Sequence, residues 1–99
     1  MYDEDEDDDQ EEGWGQGRTA TLQVDNISDD TSALDLYTLF RKCVRVKHVA
    51  IQFYRGVSSF RVEAFVTVGE DYAEYAKDWA DGRSWRGRKL KVNILKRSV

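Results

Sequence analysis

Residues Arg61 to Val68 read Arg-Val-Glu-Ala-Phe-Val-Thr-Val, an alternation with a period of two. Val62, Ala64, Val66 and Val68 point one way; Arg61, Glu63, Phe65 and Thr67 point the other. That is a strand with one dry face and one wet face, and it needs cover on the dry side only. Two helical patterns elsewhere in the chain can supply the cover. The wet face is polar apart from the ring of Phe65, so its contacts carry the functional question.

The rest of the chain falls into place around that strand. Thr19 to Ile27 reads as a first strand, with Leu22 and Val24 inward and Gln23 and Asp25 outward. Asp29, Asp30, Thr31 or Ser32 can cap a helix over about Ser32 to Cys43, whose apolar stripe is Leu36, Leu39, Phe40 and Cys43. Val46 to Tyr54 forms a second strand, with Val49, Ile51 and Phe53 inward and His48, Ala50, Gln52 and Tyr54 outward. Arg55 to Ser59 suits a hairpin loop. Glu70 to Asp81 is a second helix, with Gly82 past its end. Its small residues Ala73, Ala76 and Ala80 can lie close on a sheet, and Tyr72, Tyr75 and Trp79 make a neighbouring aromatic stripe. Arg83 to Gly87 reads as a loop. Arg88 to Leu95 is the last strand, with Leu90, Val92 and Ile94 inward and Lys89, Lys91 and Asn93 outward. The order strand, helix, strand, strand, helix, strand predicts an α+β, ferredoxin-like fold. Right-handed crossovers place both helices on one face of a four-stranded antiparallel sheet.

Charge is segregated. Nine of the 19 acidic residues lie between Asp3 and Glu12, with no basic residue among them. The remainder holds 10 acidic against 15 basic residues, so the net charge of −4 hides a basic domain. Carboxylates so dense repel one another, and Gly13-Trp14-Gly15-Gln16-Gly17 adds chain entropy. Residues 1–17 are therefore expected to be a disordered acidic and glycine-rich tail, and 18–97 the folded domain. The tail either keeps the protein in solution or folds back and competes with an anionic ligand, with Trp14 as an anchor.

Little supports catalysis. His48 and Cys43 are the only histidine and cysteine, too few for a zinc site or a Cys-His pair at useful spacing. No glycine-rich phosphate cradle appears, and the carboxylate run lacks the glycine spacing of a dedicated calcium loop. No cofactor and no small-molecule substrate is expected. Cys43 reads as a small core residue. One cysteine, no signal-peptide pattern and no long apolar run point to a soluble intracellular protein without a membrane partner.

The residues resemble the RNA recognition motif over about Thr19 to Leu95. That family's first-strand hexamer runs aliphatic, aromatic, aliphatic, any, Asn, Leu, against Leu22-Gln23-Val24-Asp25-Asn26-Ile27 here. Its third-strand octamer begins with a basic residue and carries aromatic residues at its third, fifth and eighth places, against Arg61 to Val68 here. Leu36 and Phe40, Val46 and Val49, Gly82, and Gly87-Arg88-Lys89-Leu90-Lys91-Val92 match further marks of the family. The resemblance implies a binding module for single-stranded RNA, found in nucleus or cytoplasm, whose sheet aromatics stack on bases. Their places here are Gln23, Glu63 and Phe65, and only Phe65 keeps its ring. Stacking contributes roughly 1–3 kcal/mol per base, so two missing rings remove roughly 2–6 kcal/mol. Glu63 adds repulsion toward phosphate. Weak binding is expected through Phe65, Tyr54, Gln23, Gln52 and Asn93, with Arg61, Lys89 and Lys91 on phosphates. Arg45, Lys47, Arg55, Lys96 and Arg97 lie nearby.

Gly82-Arg83-Ser84-Trp85 is also similar to the Gly-Arg-x-Phe loop of the protein-binding branch of the family, the splicing-factor homology motifs. That likeness implies a peptide partner held by Arg83 and Trp85, with Tyr72, Tyr75 and Trp79 beside them. The plainer alternative is that Trp85 packs in the core.

Overall fold

Alternating strands and two short amphipathic helices can bury their apolar residues only against each other, and they do so in one layered arrangement. The computed structural model describes residues 18–97. Its elements are β1 (Thr19–Asp25), α1 (Ala33–Phe40), β2 (Val46–Arg55), β3 (Phe60–Gly69), a 3-10 turn (Glu70–Tyr72) leading into α2 (Ala73–Ala80), β4 (Ser84–Trp85), β5 (Arg88–Lys89) and β6 (Lys91–Arg97). The main sheet has the order β2-β3-β1-β6 with every pair antiparallel, while β4 and β5 form a separate small hairpin. This is the expected ferredoxin-like arrangement. The expected tail, residues 1–17 with Trp14, lies outside the described residues.

The core is the dry face of the sheet against both helices. Leu22 and Val24 from β1, Val62, Ala64, Val66 and Val68 from β3, and Val92 from β6 meet Leu36, Leu39 and Phe40 of α1. Ala73, Ala76 and Ala80 are fully buried, and their small side chains let α2 lie close on the strands. Cys43 packs partly buried against this core, and burial pushes its thiol above the ordinary range although Arg83 pulls the other way. It is a poor nucleophile for that reason.

Ser32 is the cap of α1. Its Oγ accepts from the Asp35 N–H at 3.1 Å, and Asp35 Oδ2 accepts from the Ser32 N–H at 2.9 Å, a reciprocal capping box. The helix stops at Phe40, three residues short of expectation. Cys43 N–H donates to Phe40 O and Lys42 N–H to Leu39 O, so the chain tightens into i→i+3 turns there.

Two further differences have physical reasons. Residues 83–87 do not form an open loop, and the last strand does not begin at Arg88. Arg86 (φ 54°) and Gly87 (φ 81°) both sit in the left-handed region and close a two-residue hairpin turn. That hairpin takes Ser84–Trp85 and Arg88–Lys89, and the sheet strand starts only at Lys91. Phe53 does turn to the helical side, opposite buried Val62. It is nevertheless 52% exposed, in keeping with the loss of burial along β2 toward Arg55. It stacks instead on Phe60, with ring centroids 5.9 Å apart.

Candidate nucleic-acid interface

The face of the sheet opposite the helices is built from the residues that alternate with the core. Antiparallel register sets them in rows. Ala50, Phe65, Gln23 and Asn93 lie side by side across all four strands. In the next row Gln52 pairs with Glu63 and Asp25 with Lys91. Beyond them, Tyr54 pairs with Arg61. Phe65 is partly buried between the short side chain of Ala50 and Gln23. Tyr54, Arg61, Gln52, Lys91 and Asn93 are exposed and Gln23 is partly so. Seven of the eight residues assigned from the sequence therefore share one surface.

Lys89 is the exception. It belongs to the β4–β5 hairpin, pairs with Ser84, and its carbonyl accepts from Asn26 Nδ2 at 2.7 Å. It stands at the margin of the sheet rather than on it.

Glu63 also departs from expectation. It is on the open face but only 4% exposed. Arg61 closes over it with an ion pair at 2.7 Å, and the Tyr54 hydroxyl donates to it at 3.4 Å. The same Arg61 guanidinium lies 5.0 Å from the centre of the Tyr54 ring, a cation–π contact. Arg61, Tyr54 and Glu63 thus form one local cluster in which the carboxylate is masked.

Beside that cluster, desolvation first and the Glu63 charge second push the Asp25 carboxyl above its ordinary value, against the pull of Arg61 and Lys91. Asp25 Oδ1 is buried and makes no hydrogen bond among the described residues. A carboxyl with a raised folded pKa favours the folded state most when protonated. Its contribution is lost as pH rises from the ordinary value of 3.8 through the raised one. At neutral pH Asp25 therefore costs stability, and Asp25→Asn should raise stability by about 1 kcal/mol. Urea denaturation at pH 7 and pH 4 checks this. The gain should shrink at the lower pH, and an equal gain at both would reject the ionic explanation.

On the helical side, Trp79 packs against Phe40, and Arg83 lies 3.8 Å above the Trp79 ring while donating to its carbonyl at 3.1 Å. Trp85 is partly buried against the core with Arg86 above it. Arg86 grips both oxygens of Asp35 at 3.0 and 3.1 Å, which, after the Ser32 N–H, holds that carboxyl below its ordinary range. Tyr72 and Tyr75 remain exposed. The five residues of the peptide-binding reading therefore divide: Tyr72 and Tyr75 face outward, while Trp79, Arg83 and Trp85 are held by partners within the chain. The Arg86–Asp35 bridge had no signal in the sequence, since its two ends are far apart in the chain. Phe60 did have one: the period-two pattern continues one step before Val62.

No family model matches the chain. Curated relatives do. A protein provisionally named as RNA-binding, RbpF of Nostoc sp., is 35% identical over 77 residues, covering 77% of this chain and 73% of its own. RbpA of Synechocystis sp., provisionally named in the same way, is 38% identical over 77 residues, 77% of this chain and 76% of its own. Among solved structures, the third RRM domain of Mip6 superposes with a TM-score of 0.67 at 21% identity, over 76% of this chain and 91% of that domain. The penultimate RNA recognition motif of RBM19 gives a TM-score of 0.65 at 23% identity, over 81% and 86%. The chain belongs to the RNA recognition motif family. As an RRM domain it is a member of a family of binding modules, not of enzymes. Among the described residues no helix is long and apolar enough to cross a membrane. The open sheet face of this RRM domain is its candidate interface.

Proposed function

We propose that this domain binds single-stranded RNA weakly across its open sheet face. The observation that carries the reading is Phe65, the one ring left at the stacking positions, seated on that face in a row with Gln23 and Asn93. A base stacks on Phe65, and the amides of Gln23, Gln52 and Asn93 meet base edges. Arg61 and Lys91 neutralise phosphates. The Tyr54 ring becomes a second platform when a base displaces Arg61 from it. Affinity stays low because Gln23 and Glu63 stand where two more rings would stack. Titration with short RNAs at low salt should shift the backbone amides of β1, β2, β3 and β6. A spectrum that does not move would reject the reading.

The acidic stretch Asp3 to Glu12 competes with RNA for the basic domain. Its deletion should tighten binding, with the gain fading as salt screens the charges. An unchanged dissociation constant at low salt would exclude this competition. A peptide partner on the helical face is the second reading, favoured by the exposure of Tyr72 and Tyr75. It has less support, because Arg83 and Trp85 are already engaged within the chain.

A further inference from the structure

The sheet has a notch at one corner. β1 ends at Asp25, Asn26 takes a left-handed φ of 65°, and the pairing of β3 with β1 stops at Ala64. The first residues of β3 are therefore paired on one side only, with β2. Across the gap stand Arg88, Lys89 and Lys91. The resulting groove is lined by Phe60, Arg61, Arg88, Lys89 and Lys91, together with Asn26 and the carboxylates Asp29 and Asp81. Asp81 already accepts the Val92 N–H at 3.0 Å, and Arg88 is held by Asn26 Oδ1 at 3.3 Å. With Arg61 paired to Glu63, the cations Arg88, Lys89 and Lys91 stand against the two carboxylates, a small positive excess, and the groove meets the open face at Arg61 and Lys91.

The hairpin beside the notch carries rings on both of its faces. On the open face Arg61 lies over Tyr54; on the helical face Arg55 lies over Phe60, at 5.9 Å. Phe60 is 45% exposed and stacks on Phe53. Each ring is thus covered by a cation in the place where a base would stack. The half-exposed pair of Phe53 and Phe60 next to a cationic groove suits a single-stranded polyanion better than an apolar surface.

We propose that the notch is an extension of the RNA site, resting on the sheet-face reading above. A strand leaving the sheet at Lys91 passes its phosphates along Lys89 and Arg88 and stacks a base on Phe60, wrapping the end of the β2–β3 hairpin. The position of Lys89 off the sheet is then its function: it serves the exit path.

The test compares two single-stranded RNAs by fluorescence anisotropy, one of about four nucleotides and one of about ten, to bracket the sheet and the sheet plus groove. The longer RNA should bind the parent domain more tightly. Phe60→Ala should weaken the longer RNA by roughly 5- to 150-fold and leave the shorter unchanged. Phe60→Leu keeps apolar bulk but no flat ring, and should lose affinity in the same direction in a domain that stays folded. Lys89→Gln should lower the salt slope of the longer RNA by about 0.7 and not that of the shorter. If Phe65→Ala weakens both RNAs while Phe60→Ala and Phe60→Leu weaken neither, the groove proposal falls and the sheet reading stands; the corner is then left to a protein partner. If neither RNA binds the parent domain, both readings fall together.

Discussion

Phe65→Ala is expected to lower the affinity for short single-stranded RNA by roughly 5- to 150-fold, the equivalent of one stacked base. The fold should survive the change. Phe65 lies on the side of β3 away from the helices, and the buried residues on either side of it, Ala64 and Val66, keep their contacts. Phe65→Tyr should retain most of the affinity, because it keeps the ring face. The size of the loss matters as much as its presence. In a domain with three stacking rings one deletion is cushioned by two neighbours. Here Gln23 and Glu63 occupy the other two places, so the remaining ring carries a larger share. Equal affinities of parent and Phe65→Ala, in a domain whose amide spectrum stays dispersed, would remove the stacking mechanism altogether.

The fold was legible because each level of the sequence agreed with the next. Alternation in Arg61 to Val68, the Leu36, Leu39, Phe40 stripe and the alanines of the second helix all specify the same buried face, and all of them are buried. The small hairpin was not legible. Its turn is Arg86-Gly87 rather than the usual Asn-Gly or Asp-Gly, and left-handed arginine carries little signal. The position of the candidate residues followed from parity alone, which is why Phe65, Tyr54, Gln23 and Asn93 lie on one surface. Parity says which face a residue takes, not what closes over it. Glu63 is on the correct face and yet buried, because Arg61 two residues earlier and Tyr54 on the next strand both reach it. Parity also cannot say where burial along a strand runs out, so Phe53 has the right side and the wrong exposure.

The masked carboxylate leads to the second large effect. Arg61→Ala should destabilise the domain by about 1–3 kcal/mol. Breaking a fully buried pair costs more, but the Arg61 side chain is 67% exposed while that of Glu63 is 5% exposed, so water screens part of the loss. What remains is a carboxylate held out of water with the Tyr54 hydroxyl at 3.4 Å and the charge of Asp25 nearby. Glu63→Gln removes the charge that needs Arg61, so the double variant should recover most of the lost stability. RNA binding should follow a different pattern. Arg61→Ala loses one phosphate contact and about 0.7 of the salt slope, and the double variant should show the same loss despite its restored fold. Glu63→Gln alone should bind RNA more tightly than the parent, because it removes a negative charge and frees Arg61 from its partner. Denaturation and salt-dependent titration of the three variants separate the two duties of one arginine. A double variant that regains the full salt slope would mean that Arg61 acts on RNA only by neutralising Glu63. An Arg61→Ala domain as stable as the parent would mean that water already serves the carboxylate at this place on the sheet.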